Sequence, residues 1–125
     1  MELVSVRLIT ADIRRLAAFY AAITEIAPVW STDDFAEITT AAGTLAIGSE
    51  RTMQFFGGDI ARAADNQSAI VEFRVADVDA VYDRCKAALG AALVQPPTTM
   101  PWGNRSLLVR DPDGTLVNLF TPIEG

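Results

Sequence analysis

Residues 3 to 10, "LVSVRLIT", alternate apolar and polar side chains in period two, the pattern of a half-buried strand. Asp12 follows, and after it Ile13, Leu16, Tyr20 and Ile23 are spaced to fall on one face of a helix. The spacing therefore predicts a helix with Asp12 as its N-cap. The same events recur downstream. "AIVEFRV" (69 to 75) alternates, Asp77 caps, and Val78, Val81, Cys85 and Leu89 repeat the apolar stripe. The corners "ITADI" and "RVADV" lie 65 positions apart, from Asp12 to Asp77.

Shorter strands are expected after each helix. They fall at 27–31, 35–41 and 44–50 in the first half, and at 91–95, 104–110 and 115–120 in the second. "AAGTL" and "PDGTL" turn the last hairpin of each half, with Pro112 suited to position i+1 of a type I turn and Gly114 to the left-handed position after it. Each half thus reads β-α-β-β-β. The chain divides into module one (1–50), a connector (51–67) and module two (68–125) of a single domain. The connector, "RTMQFFGGDIARAADNQ", is longer than most loops and so invites a function of its own.

Alternation also sorts the strand residues by face. Val6, Leu8 and Thr10, and likewise Val71, Phe73 and Val75, point at their helices. Ser5, Arg7 and Ile9, and Ile70, Glu72 and Arg74, point away. In the last strand Val117 and Leu119 go inward while Leu116, Asn118 and Phe120 face away. The unusual polarity collects on the faces turned from the helices, and the site is expected there.

Composition narrows the chemistry. Half of the 125 residues are hydrophobic and 21% are charged, an ordinary globular balance. No apolar run approaches the roughly 18 residues that span a bilayer. "MELVSVRLIT" carries an acid at position 2 and reads as a strand rather than a signal peptide. Cys85 is the only cysteine, so no internal disulfide can form, and a reducing cytoplasm is the expected location. A net charge of -6 speaks against nucleic acid and is compatible with a cationic ligand or with simple solubility. The decisive count is zero histidines. It removes the commonest metal ligand and the commonest general base together, though carboxylates alone could still hold magnesium or calcium.

The AD(I/V) corners, the duplicated module and the closing "PWGNRSLLVRDPDGTLVNLF" resemble the vicinal oxygen chelate superfamily of glyoxalases, bleomycin-resistance proteins and extradiol dioxygenases. The resemblance implies an α+β fold in which two β-α-β-β-β modules form a cupped, mostly antiparallel eight-stranded sheet. It also implies where metal ligands would stand: a histidine on each module's first strand and a glutamate on its last. Counting back seven from Asp12 and Asp77 puts those places at Ser5 and Ile70. Counting four past Gly114 and Gly43 puts the others at Asn118 and Ile47. None of the four is a charged or imidazole donor, so neither metal nor cofactor is expected. Asn118 is suited to hydrogen-bonding a ligand carbonyl or hydroxyl, or else to satisfying a neighbouring strand.

Other candidates come from the residues themselves. Trp102, between Met100 and Gly103 in a proline-stiffened segment, either stacks on an aromatic ligand or packs its loop onto the core or a second subunit. Trp30 reads as core. Of the adjacent Phe55 and Phe56 in the connector one lines a pocket or a subunit seam, and Met100 suits an adaptable apolar wall. Arg7 and Glu72 hold matching positions and form an ion pair, unless Glu72 is an unpaired base in an apolar cavity. Glu37 meets a cationic ligand or solvent, and Arg105 is a further charged candidate.

Two functions follow from different classes. The first is a cytoplasmic, homodimeric, bleomycin-resistance-like protein that sequesters a bulky aromatic or cationic antibiotic. The second is a metal-free isomerase, cyclase or lyase using Glu72 or Glu37 as base.

Overall fold

The computed structural model describes residues 1–123. The first alternating run forms β1, Ser5–Thr10, and the Asp12 carboxylate accepts the Arg15 backbone N–H at 3.2 Å to start α1, Ile13–Thr24. Strands β2 (Val29–Thr32), β3 (Phe35–Thr39) and β4 (Thr44–Ser49) follow. They hydrogen-bond in the order β1-β4-β3-β2, with β1 parallel to β4 and the other pairs antiparallel. Module two repeats the plan. β5 (Ile70–Arg74) leads to α2 (Val78–Leu89), capped by Asp77 through the Ala80 N–H at 3.1 Å. β6 (Leu93–Thr99), β7 (Asn104–Arg110) and β8 (Leu116–Pro122) complete a sheet of order β5-β8-β7-β6.

Each helix turns its predicted stripe toward its own sheet, with Val81 of the second stripe only half-buried. In module one Ile13, Leu16, Tyr20 and Ile23 pack with Ala36, Ile38 and Ile47, all buried. In module two Val78, Cys85 and Leu89 pack with Leu107, Val109, Val117 and Leu119. Thr121 fastens the second corner: its hydroxyl accepts the Val78 N–H at 2.9 Å and donates to the Val75 carbonyl at 3.0 Å. The chain forms two compact units, Met1–Asp65 and the residues from Asn66 onward. No helix among the described residues is long and apolar enough to cross a membrane.

Three local expectations change. The segment read as loop after residue 95 is strand as far as Thr99, with Pro96 and Pro97 inside it. A proline cannot donate to a ladder, and β6 accommodates two because it is an edge strand whose register slips between Leu93, Gln95 and Thr98. The connector opens with a 3-10 helix, Glu50–Phe56, ended by left-handed Gly57 at φ 95°. Trp30, expected in the core, is 37% exposed on edge strand β2, with the Arg14 guanidinium 5.5 Å from its ring centre.

Candidate functional site

Strand register defines the face of each sheet turned from its helix. In module two Glu72 pairs with Asn118, and Asn118 with Leu108, forming one cross-strand row. The next row runs Arg74, Phe120 and Ser106. In module one the matching row is Arg7, Ala46 and Glu37, followed by Ile9, Gly48 and Phe35. Glu72 and Arg7, five residues before their caps, therefore occupy equivalent places with opposite charge.

The residue equivalent to Asn118 is Ala46, not Ile47. Thr39 pairs with Thr44 across a four-residue loop (40–43), whereas Arg110 pairs with Leu116 across a five-residue loop (111–115). Counting from the shared glycine therefore slips by one residue, and a one-residue slip exchanges the two faces of a strand. Ile47 lies on the helix side and is fully buried, at 0% exposure. It is a core residue and is withdrawn from the ligand set.

Asn118 donates its side-chain N–H to Glu72 Oε2 at 2.9 Å. Its carbonyl oxygen Oδ1 is shielded from water and has no hydrogen-bond partner among the described residues. The amide spans two strands and keeps the neighbouring carboxylate paired without adding a charge. Glu72 is exposed, so it does not sit in the apolar cavity that its reading as a base required.

Arg7 has a different environment. Its guanidinium carbon lies 5.0 Å from the Phe35 ring centre and 5.8 Å from that of Phe56. Phe35 shares the face with Arg7 through the period-two pattern of "FAEIT", a signal the sequence reading passed over. Phe56 arrives from the 3-10 helix, 56% exposed, while Phe55 beside it is 88% exposed. The adjacent aromatics thus divide, one covering Arg7 and one reaching outward.

Arg105 belongs to the helix side. Its Nε and Nη2 donate to the two carboxylate oxygens of Asp79 at 2.9 and 3.0 Å, and Nη1 reaches the Thr99 hydroxyl at 3.2 Å. It clamps the first turn of α2 and is removed from the ligand set. The Arg105 hydrogen bonds hold the Asp79 carboxyl below its ordinary value. A carboxyl depressed in the folded state contributes stability above its unfolded pKa and loses it as pH falls through the folded one. Arg105→Gln is accordingly expected to lower Tm slightly at pH 7, with the deficit shrinking as pH falls below the ordinary carboxylate range in a thermal-melt series.

Met100, Trp102 and Gly103 sit at the β6–β7 hairpin. The Met100 N–H donates to the Asn104 carbonyl at 2.7 Å, and Gly103 takes φ 94°, the left-handed residue closing a three-residue loop. Trp102 is 72% exposed there. Asn104 lies four residues along β7 from Leu108, the partner of Asn118, so the hairpin is about 13 Å from the amide row along the strand. Ser5 and Ile70 stand exposed at the starts of β1 and β5.

Residues 2–119 of the chain match the family model of the Glyoxalase/Bleomycin resistance protein/Dioxygenase superfamily. The chain belongs to this superfamily. Solved structures agree in fold. It is similar to a glyoxalase/bleomycin resistance protein/dioxygenase from Nocardioides (20% identity, 100% of this chain and 85% of that one, TM-score 0.77). It is also similar to a glyoxalase/bleomycin resistance protein/dioxygenase family enzyme from Burkholderia phytofirmans (16%, 95% and 97%, TM-score 0.81). A protein of unknown function from Agrobacterium tumefaciens aligns with TM-score 0.82 at 22% identity over 98% and 95% of the two chains. Among curated protein sequences none matches significantly.

The superfamily includes metal-dependent members, so the donor set needs testing against a metal. At the corresponding places this chain presents a hydroxyl (Ser5), a methyl (Ala46), an aliphatic chain (Ile70) and an amide (Asn118). These do not suit a divalent transition metal, which calls for imidazole, thiolate or carboxylate. Among the described residues no three His, Cys, Asp or Glu side chains gather in a metal-binding group.

Proposed function

We propose that this chain binds and sequesters a bulky, largely aromatic small molecule without a metal, in the manner of a bleomycin-resistance protein. It would act as a cytoplasmic homodimer against a natural-product antibiotic. The observation that carries the reading is the Asn118–Glu72 pair. At the place where a metal-dependent relative would offer a carboxylate, an amide satisfies a neighbouring carboxylate and leaves one acceptor oxygen unpaired. The exposed Glu72 carboxylate of the pair can receive a ligand N–H or O–H, while the amide has no transferable proton. In the same module the exposed Trp102 supplies ring surface suited to stacking, and mostly apolar sites with few polar anchors are the usual form of small-molecule pockets.

Tryptophan fluorescence titration against a bleomycin, an anthracycline and an enediyne chromophore tests this. At least one is expected to quench with a Kd on the order of 1 μM or tighter, unaffected by EDTA, and to be recovered unaltered. Recovery of a chemically changed compound, with loss of that conversion in Glu72→Gln at unchanged affinity, would instead establish the metal-free isomerase, cyclase or lyase. Failure of every compound to bind would remove the sequestration reading.

A further inference from the structure

We infer that Arg7, held between Phe35 and Phe56, is an anion clamp that selects ligands carrying a carboxylate or comparable planar anion beside an aromatic ring. The inference deepens the binding reading and rests on it only in taking this face of module one as ligand-facing.

Three features define the clamp. Arg7 sits in the central part of β1, and its stem runs against Gly48 of β4: a Cβ built at Gly48 would stand 3.4 Å from Arg7 Cδ and 3.0 Å from the Thr52 hydroxyl oxygen. Arg7 Cδ thus lies within van der Waals reach of the β4 backbone, and the tighter neighbour of position 48 is the Thr52 hydroxyl. Second, the two rings approach the guanidinium carbon at 5.0 and 5.8 Å, within range of cation–π attraction. Neither contact supplies a carboxylate or carbonyl acceptor, so the guanidinium keeps its capacity to donate to an anion. Third, among the described residues of its module the guanidinium has neither an ion-pair nor a hydrogen-bond acceptor, and Arg7 is exposed. Its counterparts differ: Arg51 is bound to Asp34 and Arg105 to Asp79.

A planar fork of donors with aromatic walls fits a carboxylate bidentately while the rings hold the ligand's own ring. Glu37 shares the cross-strand row but lies two strands away, about 10 Å, beyond Ala46. Its repulsion of a bound anion is weaker than the attraction of Arg7 at about 4 Å. The overall charge of -6 opposes approach of an anion only at long range, where salt screens it.

Matched probes decide the matter: 2-naphthoate, its neutral amide 2-naphthamide, and (2-naphthylmethyl)ammonium, titrated by calorimetry into the intact protein. The acid is expected to bind about 10- to 100-fold tighter than the amide, and Arg7→Gln to abolish that preference while leaving the amide within about threefold. Phe56→Leu should weaken acid and amide together while keeping the acid preferred. Equal binding of acid and amide, absence of binding by all three, or an acid preference surviving in Arg7→Gln would overturn the clamp. Preference for the ammonium would overturn it too, yet leave ligand binding intact. Conversion of a bound naphthoate to product would overturn sequestration while the clamp stood.

Discussion

Replacing Ile47 with asparagine is expected to cost about 3–5 kcal/mol of stability and to lower Tm by roughly 10–20 °C. Ile47 is fully buried on the helix side of β4, between Leu8 of β1 and Ala36 of β3. The substitution removes an aliphatic chain from a packed core and brings in an amide. Trimming a buried isoleucine costs about 2–5 kcal/mol, and stranding a polar group adds about 1–3 before the site relaxes. The competing geometry, with Ile47 on the face turned from α1 like Asn118, makes the opposite forecast: less than about 1 kcal/mol, as for most surface changes. Thermal or urea unfolding separates the two, and a near-neutral Ile47→Asn would refute the register derived from the hairpin lengths.

That residue also shows where the sequence was legible and where it was not. Faces were readable wherever counting began inside the same strand, because alternation is strict: Arg7, Glu72 and Asn118 all lie where period two put them. Counting across a turn was unsafe. "AAGTL" and "PDGTL" look alike, yet the second loop is one residue longer, and that single residue moved the equivalence from Ala46 to Ile47. Helix stripes and caps were legible for the same reason as the strands, since Asp12 and Asp77 each precede an unbroken apolar periodicity.

Tertiary partners were less accessible. Nothing local in "NRSLLVR" announces that Arg105 is claimed by Asp79, a residue 26 positions earlier in the first turn of α2. The alternation that puts Arg105 on the same side as Leu107 and Val109 would have hinted at it. The Arg7 clamp was half visible. Phe35 shares its face by alternation, but Phe56 approaches from the 3-10 helix of a segment that carried no strand or helix signal. Trp30 misled because an indole on a short strand suggests burial, whereas β2 is an edge and all four of its residues are exposed.

Asn118→Asp is expected to introduce a local dependence of stability on pH. In the wild type an amide N–H meets Glu72 Oε2 at 2.9 Å. The variant sets a second carboxylate against the first, and two such groups at contact resist ionising together, so one retains its proton to higher pH. Because that folded pKa lies above the unfolded value, the group favours the folded state fully below about pH 4. The contribution is lost as pH rises through the folded pKa. Relative to the wild type, the variant should therefore melt nearly alike at pH 4 and fall behind by about 1–2 kcal/mol, or roughly 4–8 °C, by pH 7. Glu72 is exposed and can swing toward water, which keeps the penalty at that modest size. A carboxylate at 118 is thus mildly unfavourable beside Glu72 unless a proton or a cation neutralises it, and the amide removes the need for either. Parallel Tm curves for the two proteins between pH 4 and 7 would mean that Asn118 does not act as a neutral partner to Glu72.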